Sequence, residues 1–202
     1  MNKTKQMTTK TMVIGALMTA LVVILQFMGS FIRFGTFSIS LVLIPIVIGA
    51  VTCGKWIGAW LGFVFGIVVL ASGDAGAFLA VNVPGTILTV LAKGTACGFF
   101  AGLTYELICK CFSNSKSISY IAAVAAAIIC PVVNTGVFLI GCNVFFMETV
   151  AQWAEALGFG SDIGKYMILG LVGGNFLFEM ATNIIFSPTI VHIIKVVTKK
   201  DR

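Results

Sequence analysis

Apolar residues run in six long blocks of this chain, at about 11–29, 37–53, 55–72, 82–108, 118–146 and 166–192, with most charges in the gaps between them. A helix that crosses the hydrocarbon core of a bilayer needs roughly 20 mainly apolar residues. The pattern therefore predicts an all-α, polytopic bundle of six transmembrane helices, forming a single transmembrane domain over residues 1–202. The second and third blocks are parted only by Cys53-Gly54-Lys55, which predicts a tight helical hairpin.

Inside the blocks, the polar positions are periodic. Asn82, Thr86, Thr89 and Lys93 follow i, i+4, i+7 and i+11, so they share one helix face, and a polar stripe of that kind does not face lipid. The sixth block repeats the pattern with Asn175, Glu179 and the pair Thr182/Asn183. The fifth carries Asn134 and Thr135 just after Pro131, where a kink is expected. At 1.5 Å per residue, Lys93 and Asn175 fall about 14–16 Å below one surface and Asn134 about 18 Å. Three helices thus bring polar groups to a similar level, which predicts a cavity that narrows near the midplane. Lys93 and Glu179 are lone charges within apolar helices, and charge in hydrocarbon costs at least about 2.5 kcal/mol. Two readings of them stay open: a binding site, or a buried ion pair that locks two helices together.

Composition agrees with the pattern. Hydrophobic residues make up 59% of the chain, charged ones 10%, and the mean hydropathy is +1.08, which leaves little for a soluble domain. With the N-terminus cytoplasmic, Lys3, Lys5, Lys10, Lys55, Lys110, Lys116, Lys195, Lys199, Lys200 and Arg202 all lie inside, and only Arg33 and Lys165 outside. Asp74, Glu148, Glu155 and Asp162 fall in the outer segments. Both termini are therefore expected in the cytoplasm and the protein in the cell membrane. The net charge of +6 comes from short juxtamembrane groups, a topology and lipid-contact signal rather than a nucleic-acid surface. No small-residue cleavage site follows the first block, so it is expected to be a retained helix.

Enzyme chemistry has no constellation here. The six cysteines, Cys53, Cys97, Cys109, Cys111, Cys130 and Cys142, form no C-x-x-C pair, and the single histidine, His192, falls at the cytoplasmic end of the last block, where it is expected to face lipid headgroups or a helix terminus rather than a metal. Nucleophile-elbow, Walker and H-E-x-x-H patterns are absent, and neither a metal nor a cofactor is expected. Small residues do recur at helical spacing: Gly58, Gly62 and Gly66, then Gly94, Gly98 and Gly102, with Ala16 and Ala20 in the first block. Such stripes let helix backbones approach closely. Of the outer segments, 30–38 places Arg33 and Phe34 in a short connection suited to a lid. The 147–165 segment spaces Val150, Trp153, Ala154 and Leu157 along an interfacial helix.

The stretch LVLIPIVIGAVTCGKWIGAWLGFVFGIVVLASGD (41–74) resembles the second and third helices of the substrate-binding S components of energy-coupling factor (ECF) vitamin transporters. Ala16-x-x-x-Ala20, the run TVLAKGTACGFFAGLTYEL (89–107), and Asn175 ahead of a basic tail are similar too, so the resemblance covers almost the whole chain. It implies a six-helix bundle that captures a micronutrient from outside, with loop one as a lid and the outer halves of helices four to six as the pocket. It also implies docking through Ala16 and Ala20 onto a membrane coupling subunit that carries two cytoplasmic ATPases.

Within that family the chain is more similar to the pantothenate, folate and riboflavin branch than to thiamine or biotin binders. Pantothenate is the expected ligand, with Lys93 facing its carboxylate and Asn82, Asn134 and Asn175 its hydroxyl and amide groups. Glu179 is expected as the counter-charge of Lys93, and few aromatic residues are predicted near the stripes, which counts against a flat ring. Two other classes stay open. A self-sufficient secondary transporter or channel would use Lys93 and Glu179 as an ion or proton relay, although no inverted repeat relates the two halves. A membrane scaffold subunit would bind no small molecule.

Overall fold

The first apolar block folds as one helix, α1 (Thr9–Phe31), and the elements that follow it among the described residues are helical apart from a short hairpin. A computed structural model of the chain describes residues 9–31, 33–34, 37–38, 41–112 and 116–199. Two short strands, β1 (Arg33–Phe34) and β2 (Phe37–Ser38), pair antiparallel, Arg33 opposite Ser38 and Phe34 opposite Phe37. Then come α2 (Leu43–Cys53), α3 (Lys55–Ala71), the single turn α4 (Gly76–Leu79), α5 (Val83–Cys111) and α6 (Lys116–Phe145). Last are α7 (Met147–Ala156), α8 (Ile163–Lys165), a π-helical segment (Tyr166–Gly173) and α9 (Gly174–Lys199).

Among the described residues, four stretches are long and apolar enough to cross a membrane: Thr9–Ser30, Val83–Cys111, Ser117–Phe145 and Ile163–Phe186. The block expected at 37–53 differs from its prediction. Its first residues form β2, and the helix that follows has only 11 residues, about 16 Å of rise against a core of about 30 Å. Pro45 sits in the first turn of α2, where a proline costs no intrahelical hydrogen bond. Leu43, Ile46, Val47 and Ala50 are fully buried because α1, α3, α5, α6 and α9 all pack on α2. A helix apolar on every side belongs inside a bundle.

Gly54 makes the hairpin between α2 and α3, and its φ of 97° lies in the region open to glycine. Glu106 clasps this turn to α5. Its carboxylate accepts from the Lys55 Nζ at 3.0 Å and from the Lys55 backbone N–H at 3.3 Å, so it also serves a free donor at the start of α3.

α3 and α5 meet backbone to backbone. A Cβ on Gly62 would run into the Gly94 carbonyl, and one on Gly58 into the Gly98 carbonyl. The glycine stripes are therefore packing surfaces for each other. α6 continues as one helix through the buried Pro131. The sixth block is not one α-helix, since its first turns are π-helical between Tyr166 and Gly173. α1 turns Leu17, Leu21 and Met28 outward, an apolar face suited to lipid.

Candidate binding site

α5 begins with a cap that explains one of the polar positions. The Asn82 side chain accepts from the Gly85 N–H at 3.0 Å, with Pro84 in the first turn. Asn82 was expected to contact ligand, but its side chain is engaged at the helix terminus and it does not line the cavity below. The next positions of the stripe do: Thr86, Thr89, Val90 and Lys93 descend one wall of a cavity of about 190 Å³.

Asn134, Thr135 and Phe138 of α6 form a second wall, and Leu171, Val172, Asn175 and Glu179 a third. Leu171 and Val172 belong to the π-helical segment, so the widened turn sits directly before the polar residues of α9. Such segments occur often at functional sites. Thr182 and Asn183, by contrast, bond back to their own helix: Asn183 Nδ2 donates to the Glu179 carbonyl at 2.8 Å and Thr182 Oγ1 to that of Phe178 at 2.9 Å.

Lys93 and Glu179 both line the cavity, but they do not form the direct ion pair expected from the sequence. Among the described residues, no salt bridge within 4.0 Å involves Lys93. The Glu179 carboxylate is 2% exposed and accepts from Asn134 Nδ2 at 3.3 Å and Asn175 Nδ2 at 3.1 Å. Two amides from two helices thus compensate its burial, which an isolated carboxylate would not tolerate. The Lys93 ammonium instead lies over two aromatic faces, 5.7 Å from the Phe65 ring centre and 5.1 Å from that of Phe138. Each such contact contributes about 0.5–2 kcal/mol.

Two features were not foreseen. First, Phe65, Phe78, Phe138 and Phe146 all line the cavity. The expectation of few aromatics near the stripes is therefore corrected. Phe78 is the hub of this wall, edge-on to Phe138 at 5.4 Å, Phe146 at 5.0 Å and Trp153 at 5.3 Å. Trp153 of α7 backs the wall and does not itself line the cavity. Second, Gln26 of α1 and Asp74 of the α3–α4 connection add a further polar group, with Gln26 Nε2 donating to Asp74 Oδ2 at 2.7 Å.

Of the other expected positions, Ala16 and Ala20 are exposed on the outer face of α1. Beside Ala16 runs a shallow groove lined by Met12, Gly15, Thr19, Ile57 and Trp60. The backbones of Arg33 and Phe34 form β1, and β2 lies against α1 and α9. The side chains of Arg33, Phe34 and His192 lie outside the described part of the structure, as do Lys3, Lys5, Lys200 and Arg202 in full.

Residues 10–194 match the family described as ECF transporter, substrate-specific component. The chain belongs to that family. As an S component it is a non-catalytic, multi-pass binding subunit of the cell membrane, and it works with a substrate and an ECF energising module. Its fold is similar to a solved structure of ThiT from Listeria monocytogenes, with a TM-score of 0.68 and 20% identity over 93% of this chain and 96% of that one. No curated protein sequence matches the chain.

Proposed function

We propose that this S component captures a vitamin-sized, water-soluble micronutrient in the cavity between α3, α5, α6 and α9. Thr86, Thr89, Lys93, Asn134, Asn175 and Glu179 are its polar contacts. The observation that carries the reading is the convergence of polar side chains from three helices on one cavity of about 190 Å³ in an otherwise apolar chain. Polar groups at that depth are expensive unless a ligand or a partner uses them.

In this reading the chain spans the membrane six times with both ends in the cytoplasm, as its basic residues favour. The cavity opens outward, and the β1–β2 hairpin with Arg33 and Phe34 is the lid. The exposed Ala16 and Ala20 face of α1 docks on the coupling subunit, whose two ATPases supply the energy. Rigid-body movement then delivers the ligand, biased by its differential affinity for the two states.

Pantothenate is the candidate the sequence singles out, since Lys93 suits a carboxylate and Asn134 and Asn175 suit hydroxyl and amide groups. Glu179 weighs against an anion. The test is a thermal-shift and calorimetric panel of water-soluble vitamins on the purified chain. Saturable binding of one compound is expected, and no shift with any of them would refute the reading.

A further inference from the structure

The Glu179 carboxylate fixes which way the two asparagines beside it face. A carboxylate accepts and has no proton to give, so Asn134 and Asn175 each turn the NH2 of the side-chain amide to it, at 3.3 Å and 3.1 Å. Their carbonyl oxygens are left over. Asn134 Oδ1 and Asn175 Oδ1 are both shielded from solvent, and neither meets a hydrogen-bond donor among the described residues. Both residues line the cavity, one from α6 and one from α9, and Asn134 as a whole is only 3% exposed. The Thr89 hydroxyl on α5 is likewise buried and without a partner among the described residues. Asn183 Oδ1 is a fourth such atom, but Asn183 is not part of the cavity wall.

Buried oxygens of this kind are rare in folded chains, because each has lost its water without gaining a donor. Lys93 offers the opposite polarity. Its ammonium carries three donors and makes no hydrogen bond or salt bridge among the described residues. α5 therefore calls for an acceptor on whatever fills the cavity, while α6 and α9 call for donors. A compound whose polar groups are a carboxylate and ring nitrogens alone meets the first need and leaves both asparagine oxygens unmet. One that also carries N–H or O–H groups meets both.

We propose that the cavity selects its ligand by donor groups: the side-chain carbonyls of Asn134 and Asn175 accept from N–H or O–H groups of a hydroxylated or amide-bearing micronutrient, whose acceptor meets Lys93. This rests on the cavity being the micronutrient site. It also gives Glu179 a positioning role, since its carboxylate holds both amides in the accepting orientation.

The test is titration calorimetry on the full chain in detergent. Pantothenate, biotin, riboflavin, pyridoxine and nicotinamide carry N–H or O–H donors; nicotinate and lipoate have none at neutral pH. The tightest binder is expected in the first set. At least one of its derivatives methylated at a single N–H or O–H should bind about ten-fold more weakly, the loss of one hydrogen bond to a buried oxygen. Asn134→Ala or Asn175→Ala should weaken the parent compound and narrow that ratio, whereas a purely steric effect of the methyl group would leave the ratio as it was. If neither variant folds, Glu179→Gln keeps the side-chain size but can donate, which frees the amides to turn, and it should narrow the ratio in the same way. Tightest binding of nicotinate or lipoate, methylated derivatives that all bind as well as their parent, or a ratio unchanged in every variant that folds overturns the inference and leaves the micronutrient reading standing. Absence of binding by every probe overturns both.

Discussion

Gly62→Ala is the sharpest test of how the cavity is held. Built onto the backbone, the new methyl carbon lies 2.6 Å from the carbonyl carbon of Gly94 and 3.3 Å from Cα of Thr95. Favourable carbon contacts lie at about 3.5–4.0 Å, so α3 and α5 must part by about 1 Å. The obstructing atoms are backbone, and no rotamer change relieves the clash. Overpacking of this kind costs about 1–3 kcal/mol, offset by up to about 1 kcal/mol of alanine's better helix propensity. A net loss of about 1–2 kcal/mol corresponds to a fall of about 2–8 °C in melting temperature for a chain of this length.

The same movement separates Phe65 on α3 from Lys93, the neighbour of Gly94, so ligand affinity should fall with stability. Gly136→Ala is the control, because nothing lies within 4 Å of its added carbon. It should be neutral or raise the melting temperature. Detergent-purified variants, followed by tryptophan fluorescence on heating with and without ligand, give both quantities. Equal melting temperatures for the two variants would refute the proposed backbone contact and the coupling drawn from it.

Lys93→Ala should lower the affinity of whichever vitamin binds by ten-fold or more in titration calorimetry, and full retention would show that the pocket has been misplaced. Ala16→Trp combined with Ala20→Trp should abolish uptake in cells that carry the energising module while calorimetric affinity stays unchanged; parallel loss of both would indicate misfolding instead of lost docking. Phe78→Ala removes the hub of the aromatic wall, a half-buried ring with three edge-on partners, each such aromatic pair contributing about 0.5–1.5 kcal/mol beyond area burial. Its melting temperature should fall below that of Phe63→Ala, a residue that is 37% exposed.

The helical stripes were legible because two turns of α-helix bring i, i+4 and i+7 onto one face, and the cavity uses Thr86, Thr89 and Lys93 in that register. Asn134, Asn175 and Glu179 could be placed by depth alone. Gln26 was also visible, as the single polar residue within Leu21–Met28, but one position sets no periodicity and gives no partner. The aromatic wall was not legible. With 17 phenylalanines in an apolar chain, the ones that face a cavity depend on how each helix is rotated against its neighbours, which no single helix encodes. The short α2 was hidden for a related reason: hydropathy sees a continuous run from Phe37, while pairing of β2 with β1 removes its first residues from the helix. Asn82 satisfied the stripe, yet Pro84 two residues later was the stronger signal, since it marks a helix start that needs a cap.

Why Lys93 and Glu179 stand apart follows from which elements carry them. Lys93 sits on α5, whose neighbour Gly94 is in backbone contact with Gly62, so its height and direction are fixed by a contact with no side chain to adjust. Glu179 sits on α9, below a π-helical segment, and is joined to α6 through the Asn134 amide. A direct ion pair would have closed the space between these walls and satisfied both charges without a ligand. Supplying Glu179 with asparagine donors, one of them a turn earlier on its own helix, stabilises the carboxylate where it is and removes any need for lysine to reach it. Among the described residues, the ammonium is then met by ring faces and by more distant carboxylates. That partial compensation keeps the site open, and it makes Lys93 the group with most to gain from an incoming acceptor.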